Sequence, residues 1–131
     1  MIKIKAAIMN KRVLIVDDIE FILEFEAKVI QSLANEIGIE IQVDSANTVL
    51  DAHEKILEHD YDAMVIDMNL PDGSGVEIAR AALEKNETTR IAALTIYPNK
   101  YDEHRAYFDA FFKKPILPSS YKQNFRQLLQ I

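Results

Sequence analysis

The stretch AMVIDMNLPDGSG, residues 63–75, decides the fold of this 131-residue chain. Its first four residues are apolar and predict a buried β-strand, which ends at a single carboxylate, Asp67. The loop that follows is rich in Asn, Pro, Asp, Gly and Ser, which are typical of tight turns. An acid at the junction of a buried strand and a loop lies at the rim of a sheet, where open α/β folds bind their ligands. Asp67 is therefore the first candidate functional residue.

Four further segments show the patterns of strands, and helical patterns lie between them. Residues 13–16 and 91–95 are apolar runs, as expected of strands that are covered on both faces. Residues 39–44 alternate apolar and polar side chains, which predicts a strand at or near an edge. A short fifth strand is predicted over residues 110–112. Such alternation indicates a doubly wound α/β domain, with a five-stranded parallel sheet and helices on both faces.

Apolar residues at helical spacing predict the helices of this domain. The first spans residues 19–37 and ends at Gly38, a residue that terminates helices well. Thr48 caps the second, which runs to about His59 and carries Val49, Ala52, Ile56 and Leu57. The remaining helices are predicted to begin near Gly75, at Pro98 with a weaker pattern, and after a serine cap at Ser119 or Ser120.

The composition is that of one globular domain. Apolar residues make up 49% of the chain and charged residues 27%, unlike a disordered segment. A net charge of -6 gives no general attraction to nucleic acid or anionic membranes, so we expect neither direct nucleic-acid binding nor membrane insertion. The absence of cysteine excludes disulfides and thiolate metal sites. No apolar run has the length of a membrane span, and no signal peptide is evident, so we expect a cytoplasmic protein.

The first nine residues alternate lysine with isoleucine, and we treat residues 1–9 as an N-terminal extension of a domain at residues 10–131. Three structures stay open for this extension: an extra edge strand, a remnant of a linker, or a frayed tail.

Reactive side chains lie at the ends of four predicted strands: Asp17 and Asp18, Asp67, Thr95, and Lys114. Because the carboxyl ends of parallel strands share one edge, we expect three carboxylates, one hydroxyl and one ammonium to meet there. The carboxylates repel one another unless a cation is present, and Mg²⁺ prefers oxygen ligands of this kind. Aspartate can attack phosphorus to form an acyl phosphate, and phosphoryl transfer needs little beyond positioning and neutralised charge. The pattern therefore predicts that Asp67 is a covalent phosphate acceptor.

These motifs resemble those of two-component response-regulator receiver domains, and the resemblance covers nearly all of residues 10–131. The matching motifs are VLIVDD at 13–18, VIDMNLPDGSG at 65–75, LT at 94–95 and KKP at 113–115. The resemblance implies a flavodoxin-like sheet with strand order 2-1-3-4-5 in a stand-alone, CheY-like domain.

The resemblance also implies roles for single residues. Asp67 is similar to the phosphoacceptor, while Thr95 and Lys114 are similar to the hydroxyl and the ammonium that contact the phosphoryl group. Phe111 takes the place of the switch aromatic that moves together with the hydroxyl. The peptide bond between Lys114 and Pro115 is expected to be cis.

The metal ligands are carried over in the same way. Asp17, Asp18 and Asp67 are similar to the acids that bind Mg²⁺, with Asp18 favoured over Asp17 as a direct ligand. The backbone carbonyl of Asn69 is similar to the remaining protein ligand.

The chain departs from the family pattern around the fourth helix. Ile96, directly after Thr95, replaces a residue that is usually small. The segment from Thr95 to Lys114 is shorter than in the family by roughly one helical turn, and it lacks the usual glycine before the fifth strand. The fourth helix is therefore expected to be short or irregular.

The resemblance implies a phosphorelay signalling function. A histidine kinase or histidine phosphotransfer protein supplies the phosphoryl group, and Asp67 accepts it with Mg²⁺. Phosphorylation then changes a surface that binds a downstream protein target, and homodimerisation is left open. Such a domain is not an enzyme in the usual sense, because it promotes only its own phosphorylation and dephosphorylation.

Two alternatives stay open. Ile96 and the short fourth helix favour a receiver fold that serves as a constitutive interaction module without phosphorylation. A phosphohydrolase of the haloacid dehalogenase type is disfavoured, because Asn69 stands where that chemistry needs a second aspartate.

Overall fold

A five-stranded parallel sheet forms the centre of the computed structural model, which describes residues 9–131. The alternatives for the N-terminal extension concern residues that lie, apart from Met9, outside this range. The sheet strands are β1 Asn10–Val16, β2 Glu40–Ala46, β3 Ala63–Asp67, β6 Arg90–Thr95 and β7 Ala110–Lys113. Two-residue strands, β4 Asn69–Leu70 and β5 Gly73–Ser74, pair as a separate antiparallel hairpin.

The order of the sheet is β2-β1-β3-β6-β7. Counted along the five main strands, this is the predicted order 2-1-3-4-5, so the predicted fold class is confirmed. All but the first residue of the alternating segment 39–44 lies in β2, which is an edge strand as its pattern predicted. The register places Asp67 opposite Leu94, and Thr95 opposite Lys113. The acid, the hydroxyl and the basic segment therefore reach the same edge of the sheet.

Within residues 9–131, four α-helices cover the sheet: α1 Glu20–Ile37, α2 Val49–Glu58, α3 Gly75–Lys85 and α4 Pro118–Leu129. Helices α1 and α4 pack on the face that contains Val13 and Ile15, while α2 and α3 pack on the face that contains Leu14 and Val16. Successive residues of a strand point to opposite faces. A continuous apolar run in β1 is therefore buried on both sides, as the sequence predicted.

The predicted helix ends are confirmed for the first two helices. Gly38 ends α1 in the left-handed conformation, with φ 73°, which costs glycine little because it has no Cβ. Thr48 accepts a hydrogen bond from the backbone N–H of Asp51 at the start of α2.

One detail of the predicted helices is wrong. The last helix begins at Pro118 after Leu117 and has no side-chain cap, so neither Ser119 nor Ser120 caps it. Proline lacks an N–H and has a helical φ, which makes it suitable for a first helical position. Leu57, one of the apolar residues of the second helix, is 79% exposed. The buried side of α2 runs through Ile56, and the next residue is rotated by about 100° away from it.

The segment Pro98–Tyr107 is a 3₁₀ helix with non-helical backbone angles at Tyr101. This finding confirms the predicted short or irregular fourth helix. Within residues 98–107 no side chain is fully buried. Without an apolar stripe to pack on the core, little favours a regular α-helix here.

In the described part of the chain, none of the helices combines the length and the apolar character that crossing a membrane requires.

Candidate functional site

Three carboxylates meet at the carboxyl edge of the sheet. Oxygen atoms of Asp17, Asp18 and Asp67 all lie within 4.8 Å of one another. Asp17 and Asp67 are buried, whereas Asp18 is exposed. The predicted acidic cluster is therefore assembled by the ends of β1 and β3.

The Asp17 side chain is fully buried, and only one of its two carboxylate oxygens accepts a hydrogen bond within residues 9–131. Its Oδ1 accepts a hydrogen bond of 2.9 Å from the backbone N–H of Ile19, while Oδ2 has no hydrogen-bond partner among residues 9–131. Burial raises the pKa of Asp17 to about 6; the bond from Ile19 opposes this shift, and the charge of Asp67 adds to it. An ionised carboxylate in this position needs a nearby positive charge.

Lys114 supplies one such charge. Its Nζ donates to Oδ1 of Asp67 at 3.1 Å, and the backbone N–H of Asn69 donates to the same oxygen at 3.2 Å. The backbone N–H of Lys114 also donates to the carbonyl of Thr95, and the bond to Pro115 is cis. The lysine is thus fixed to the neighbouring strand end through its main chain.

Thr95 ends β6 and is buried. Its hydroxyl accepts a hydrogen bond of 3.1 Å from the backbone N–H of Tyr97. The strand register places Thr95 one position beyond Leu94, the residue opposite Asp67. Ile96, the residue that departs from the family pattern, is 55% exposed.

Phe111 lies half-buried on the edge strand β7, opposite Ala93. It packs with Phe108, at 5.5 Å between ring centroids, against the small apolar cluster of Met68, Val76 and Ala93. The guanidinium carbon of Arg105 lies 4.8 Å from the centroid of the Phe111 ring. The 3₁₀ segment therefore contacts this aromatic ring directly.

The loop after Asp67 is held by both neighbouring helices. Asp72 accepts hydrogen bonds from the backbone N–H groups of Val49 and Leu50 at the start of α2. Ser74 caps α3 by accepting from the N–H of Val76. The turn residues read from the sequence therefore also act as helix caps.

Gly75 is required by a close approach of backbone to backbone. A Cβ at this position would lie 2.8 Å from the carbonyl oxygen of Asp67 and 2.9 Å from the sulfur of Met68. The start of α3 can therefore pack directly beneath the acceptor residue.

Sequence reasoning missed Glu26, which is fully buried on α1. The hydroxyl of Tyr121 on α4 donates to its Oε1 at 2.7 Å, and Oε2 is buried without a partner in the described residues. Burial raises the pKa of Glu26 to about 8, although the Tyr121 bond acts in the opposite direction. The sequence does contain a signal for the burial of Glu26, because this residue lies between Leu23 and Ile30 in the apolar stripe of the helix.

The arrangement fits a hard divalent cation. Three carboxylates lie together, Lys114 forms an ion pair with Asp67, and a buried carboxylate oxygen of Asp17 has no partner among residues 9–131. Oxygen donors from carboxylates are the ligands that Mg²⁺ prefers. The donor set contains no sulfur or imidazole, which would favour a softer metal.

Comparison with known proteins gives one family. The family model described as the response regulator receiver domain matches residues 13–125. Among curated proteins, no sequence matches the chain.

Three solved structures illustrate the similarity. The BeF3-activated DrrB receiver domain is 25% identical with a TM-score of 0.79, over 94% of this chain and 100% of that one. The response regulator TrrA of Thermotoga maritima, in complex with Mg²⁺ and beryllium fluoride, is 26% identical with a TM-score of 0.77. The match covers 90% of this chain and 98% of TrrA. A CheY-like receiver domain of Methylobacillus flagellatus is 27% identical with a TM-score of 0.76. The match covers 92% of this chain and 99% of that domain.

Proposed function

The chain belongs to the family of response regulator receiver domains, and on this premise we propose that Asp67 accepts a phosphoryl group from a histidine kinase or a histidine phosphotransfer protein. One observation carries the proposal: the ammonium of Lys114 lies 3.1 Å from the Asp67 carboxylate, inside a cluster of three acids. Two similar structures contain beryllium fluoride, which has the tetrahedral shape of a phosphoryl group.

The transfer replaces one bond to phosphorus by another. A carboxylate oxygen of Asp67 attacks the phosphorus of a phosphohistidine, the bond from phosphorus to the imidazole nitrogen breaks, and its electron pair returns to the ring. Lys114 then binds a phosphoryl oxygen in place of the free carboxylate. Asn69 donates its backbone N–H to Asp67 and orients the nucleophile.

In this proposal Mg²⁺ is held by Asp17, Asp18, Asp67 and the backbone carbonyl of Asn69. When bound, the ion neutralises negative charge on the phosphoryl oxygens. Two observations support this ligand set: Oδ2 of Asp17 has no hydrogen-bond partner within residues 9–131, and the three acids approach one another closely.

Thr95 and Phe111 form the switch. The Thr95 hydroxyl leaves the N–H of Tyr97, from which it accepts a hydrogen bond, and binds the phosphoryl group. Phe111 moves inward to fill the vacated space, and the surface around β7 changes for a downstream protein. Ala93, opposite Phe111, supports the proposal because it is small and belongs to the apolar cluster against which the ring packs.

The partners are proteins that reach the rim of the site. Ile19, Ile96 and Leu117 follow three different strand ends, and each is more than half exposed. Apolar side chains around a charged centre offer a contact surface for the phosphodonor protein. We place the reaction in the cytoplasm, with residues 10–131 as the domain and residues 1–9 as its extension. The domain acts on no substrate other than itself.

Exposure to small phosphodonors tests the proposal. With acetyl phosphate or phosphoramidate and Mg²⁺, the intact mass of the wild type should increase by one phosphoryl group. Asp67→Asn should gain none, and Asp51→Asn, a matched change on α2, should behave like the wild type. The absence of a phosphoryl mass with small donors and with a cognate kinase would refute the proposal.

A second candidate is a receiver fold that binds partners constitutively without phosphorylation. The exposed Ile96 and the kinked segment Pro98–Tyr107 favour it, because both lie where the phosphorylation signal would be relayed. In that case the partner should bind the wild type and Asp67→Asn with equal affinity, whether or not a phosphodonor is present.

A further inference from the structure

The carboxyl group of Glu26 is buried between α1 and α4, away from the proposed phosphorylation chemistry. Its Oε1 accepts a hydrogen bond of 2.7 Å from the hydroxyl of Tyr121, and its Oε2 has no hydrogen-bond partner among residues 9–131. Leu23 and Ile30, its neighbours on the same face of α1, belong to the apolar core. Such surroundings disfavour an ionised carboxylate far more than a protonated one. Glu26 therefore carries a proton while the two helices are packed together.

The charged groups that act on Glu26 do not compensate for its ionisation. Burial is the main cause that raises its pKa to about 8, and the bond from Tyr121 lowers it. The charges of Asp17, at the end of β1, and of Asp67, at the end of β3, raise this pKa further. Lys114 is the one cation that acts in the opposite direction within residues 9–131. An ionised Glu26 is therefore stabilised only when water reaches it.

Tyr121 connects this carboxyl group to the packing of α4. Its ring stacks on Phe125 and contacts the edge of Phe112 on β7. Tyr121 also lines a cavity of about 370 Å³ between the segment 112–117 and α4, and the first turn of α4 has no side-chain cap. A shift of the first turns of α4 away from α1 therefore gives Glu26 access to water.

We propose that the hydrogen bond between Glu26 and Tyr121 is a proton-controlled latch, which holds α4 on α1 while Glu26 is protonated and releases the first turns of α4 when Glu26 loses its proton to solvent. The latch needs no phosphorylation, so it is independent of the proposed function. Because α4 follows the loop that contains Lys114, its release also loosens the chain next to the acidic cluster.

Amide hydrogen exchange measures this release. When α4 opens, Glu26 regains its ordinary pKa of 4.5, so a rise in pH from 5 to 8 favours the open form. Opening of α4 in the wild type should increase relative to Glu26→Gln at the same pH, by up to about tenfold per pH unit. The comparison at equal pH cancels the intrinsic pH dependence of exchange. Amides of β1, such as that of Ile15, report global unfolding and should exchange more slowly than those of α4.

Tyr121→Phe removes the hydroxyl and keeps the ring. Since the bond from Tyr121 lowers the pKa of Glu26, this pKa should be higher in the variant than in the wild type, as measured by ¹³C NMR of the Glu26 carboxyl carbon. The opening of α4 should also continue to increase up to a higher pH. A merely structural contact would leave the pKa of Glu26 unchanged.

Lys122→Gln is the matched control, because it removes an exposed link between the same two helices. The Nζ of Lys122 on α4 donates to Glu36 at 2.6 Å and to Ser32 at 3.3 Å, both on α1. This variant should open α4 more often than the wild type, by a factor that stays constant between pH 5 and 8.

Two results would overturn the latch. One is the same pH dependence of α4 opening in the wild type and Glu26→Gln. The other is an equal response of the α4 and β1 amides to pH, because Glu26 would then act on global unfolding alone. If Glu26→Gln does not fold, Tyr121→Phe decides, and a pKa of Glu26 equal to that of the wild type refutes the latch.

Discussion

The hydroxyl of Tyr121 on α4 lies 2.7 Å from Oε1 of Glu26 on α1, and both side chains are buried. This hydrogen bond connects the two helices across one face of the sheet. Tyr121 also stacks on Phe125 and contacts the edge of Phe112. Tyr121 thus connects a buried carboxyl group to two further aromatic rings. Burial raises the pKa of Glu26, and the charges of Asp17 and Asp67 add to this shift.

Glu26 should make stability depend on pH. Its pKa rises from 4.5 to about 8 on folding, so the folded state holds a proton that the unfolded state releases between these values. The free energy of unfolding should therefore fall as the pH rises through this window, by roughly 1.4 kcal/mol per pH unit at its steepest. The Glu26→Gln variant should lack this contribution to the pH dependence of the free energy of unfolding. Urea unfolding of both proteins at several values between pH 5 and 8 measures the difference.

Asp17 titrates in the same range, since its pKa is raised to about 6. The comparison of wild type with Glu26→Gln removes this contribution, because Asp17 is present in both. If the free energy of unfolding of the wild type and of Glu26→Gln changed in parallel with pH, Glu26 would be ionised in the folded state.

Arg105 should hold Phe111 in its half-exposed position. The guanidinium carbon lies 4.8 Å from the ring centroid, and a cation–π contact at an exposed site contributes about 0.5–1 kcal/mol. Arg105→Gln should therefore favour the inward position of Phe111 by roughly two- to fivefold. The populations can be measured by NMR of the Phe111 ring during titration with Mg²⁺ and beryllium fluoride.

Asp102→Asn is the matched control for this change. Asp102 accepts a hydrogen bond of 2.9 Å from Arg105 but is not part of the stack. The Asp102→Asn substitution should alter the population of the inward Phe111 ring less than Arg105→Gln does. Equal populations in the wild type and Arg105→Gln would argue against a contribution of the stack to the switch.

Mg²⁺ should stabilise the folded protein, because the proposed site consists of acids that only the folded chain brings together. The wild-type melting temperature should rise with Mg²⁺ concentration, and Asp18→Asn should weaken this dependence. Asp18 is the suitable position, since it is exposed and its replacement leaves the buried acids intact. Asp51→Asn on α2 serves as the control. The same Mg²⁺ dependence in Asp18→Asn and the wild type would exclude Asp18 as a ligand.

Most of the fold could be predicted because its signals are local. Strands that are buried on both faces need continuous apolar runs, and residues 13–16 and 63–66 are fully buried in the sheet. The parallel arrangement then brought Asp17, Asp67 and Lys114 to one edge without any information on distance. Gly38 and Thr48 likewise mark helix ends through their own backbone and side-chain chemistry.

The remainder depends on contacts between residues far apart in the chain. Glu26 stands in an apolar stripe, but its partner Tyr121 is 95 residues away. Tyr101 lies in a segment with no helical stripe, so no period in the sequence could place its ring against the cluster of Met68, Val76 and Ala93. The incorrect serine cap has another cause, because proline begins α4 without needing a cap.

Trapping the acyl phosphate with borohydride tests the central claim most directly. After exposure to phosphoramidate and Mg²⁺, reduction converts a phosphorylated aspartate to homoserine, and peptide mass spectrometry locates the changed residue. We predict homoserine at position 67 in the wild type and at no position in a sample kept without phosphodonor. Homoserine at another aspartate, or none at position 67 after treatment with small donors and a cognate kinase, would contradict the assignment of Asp67 as the phosphoacceptor.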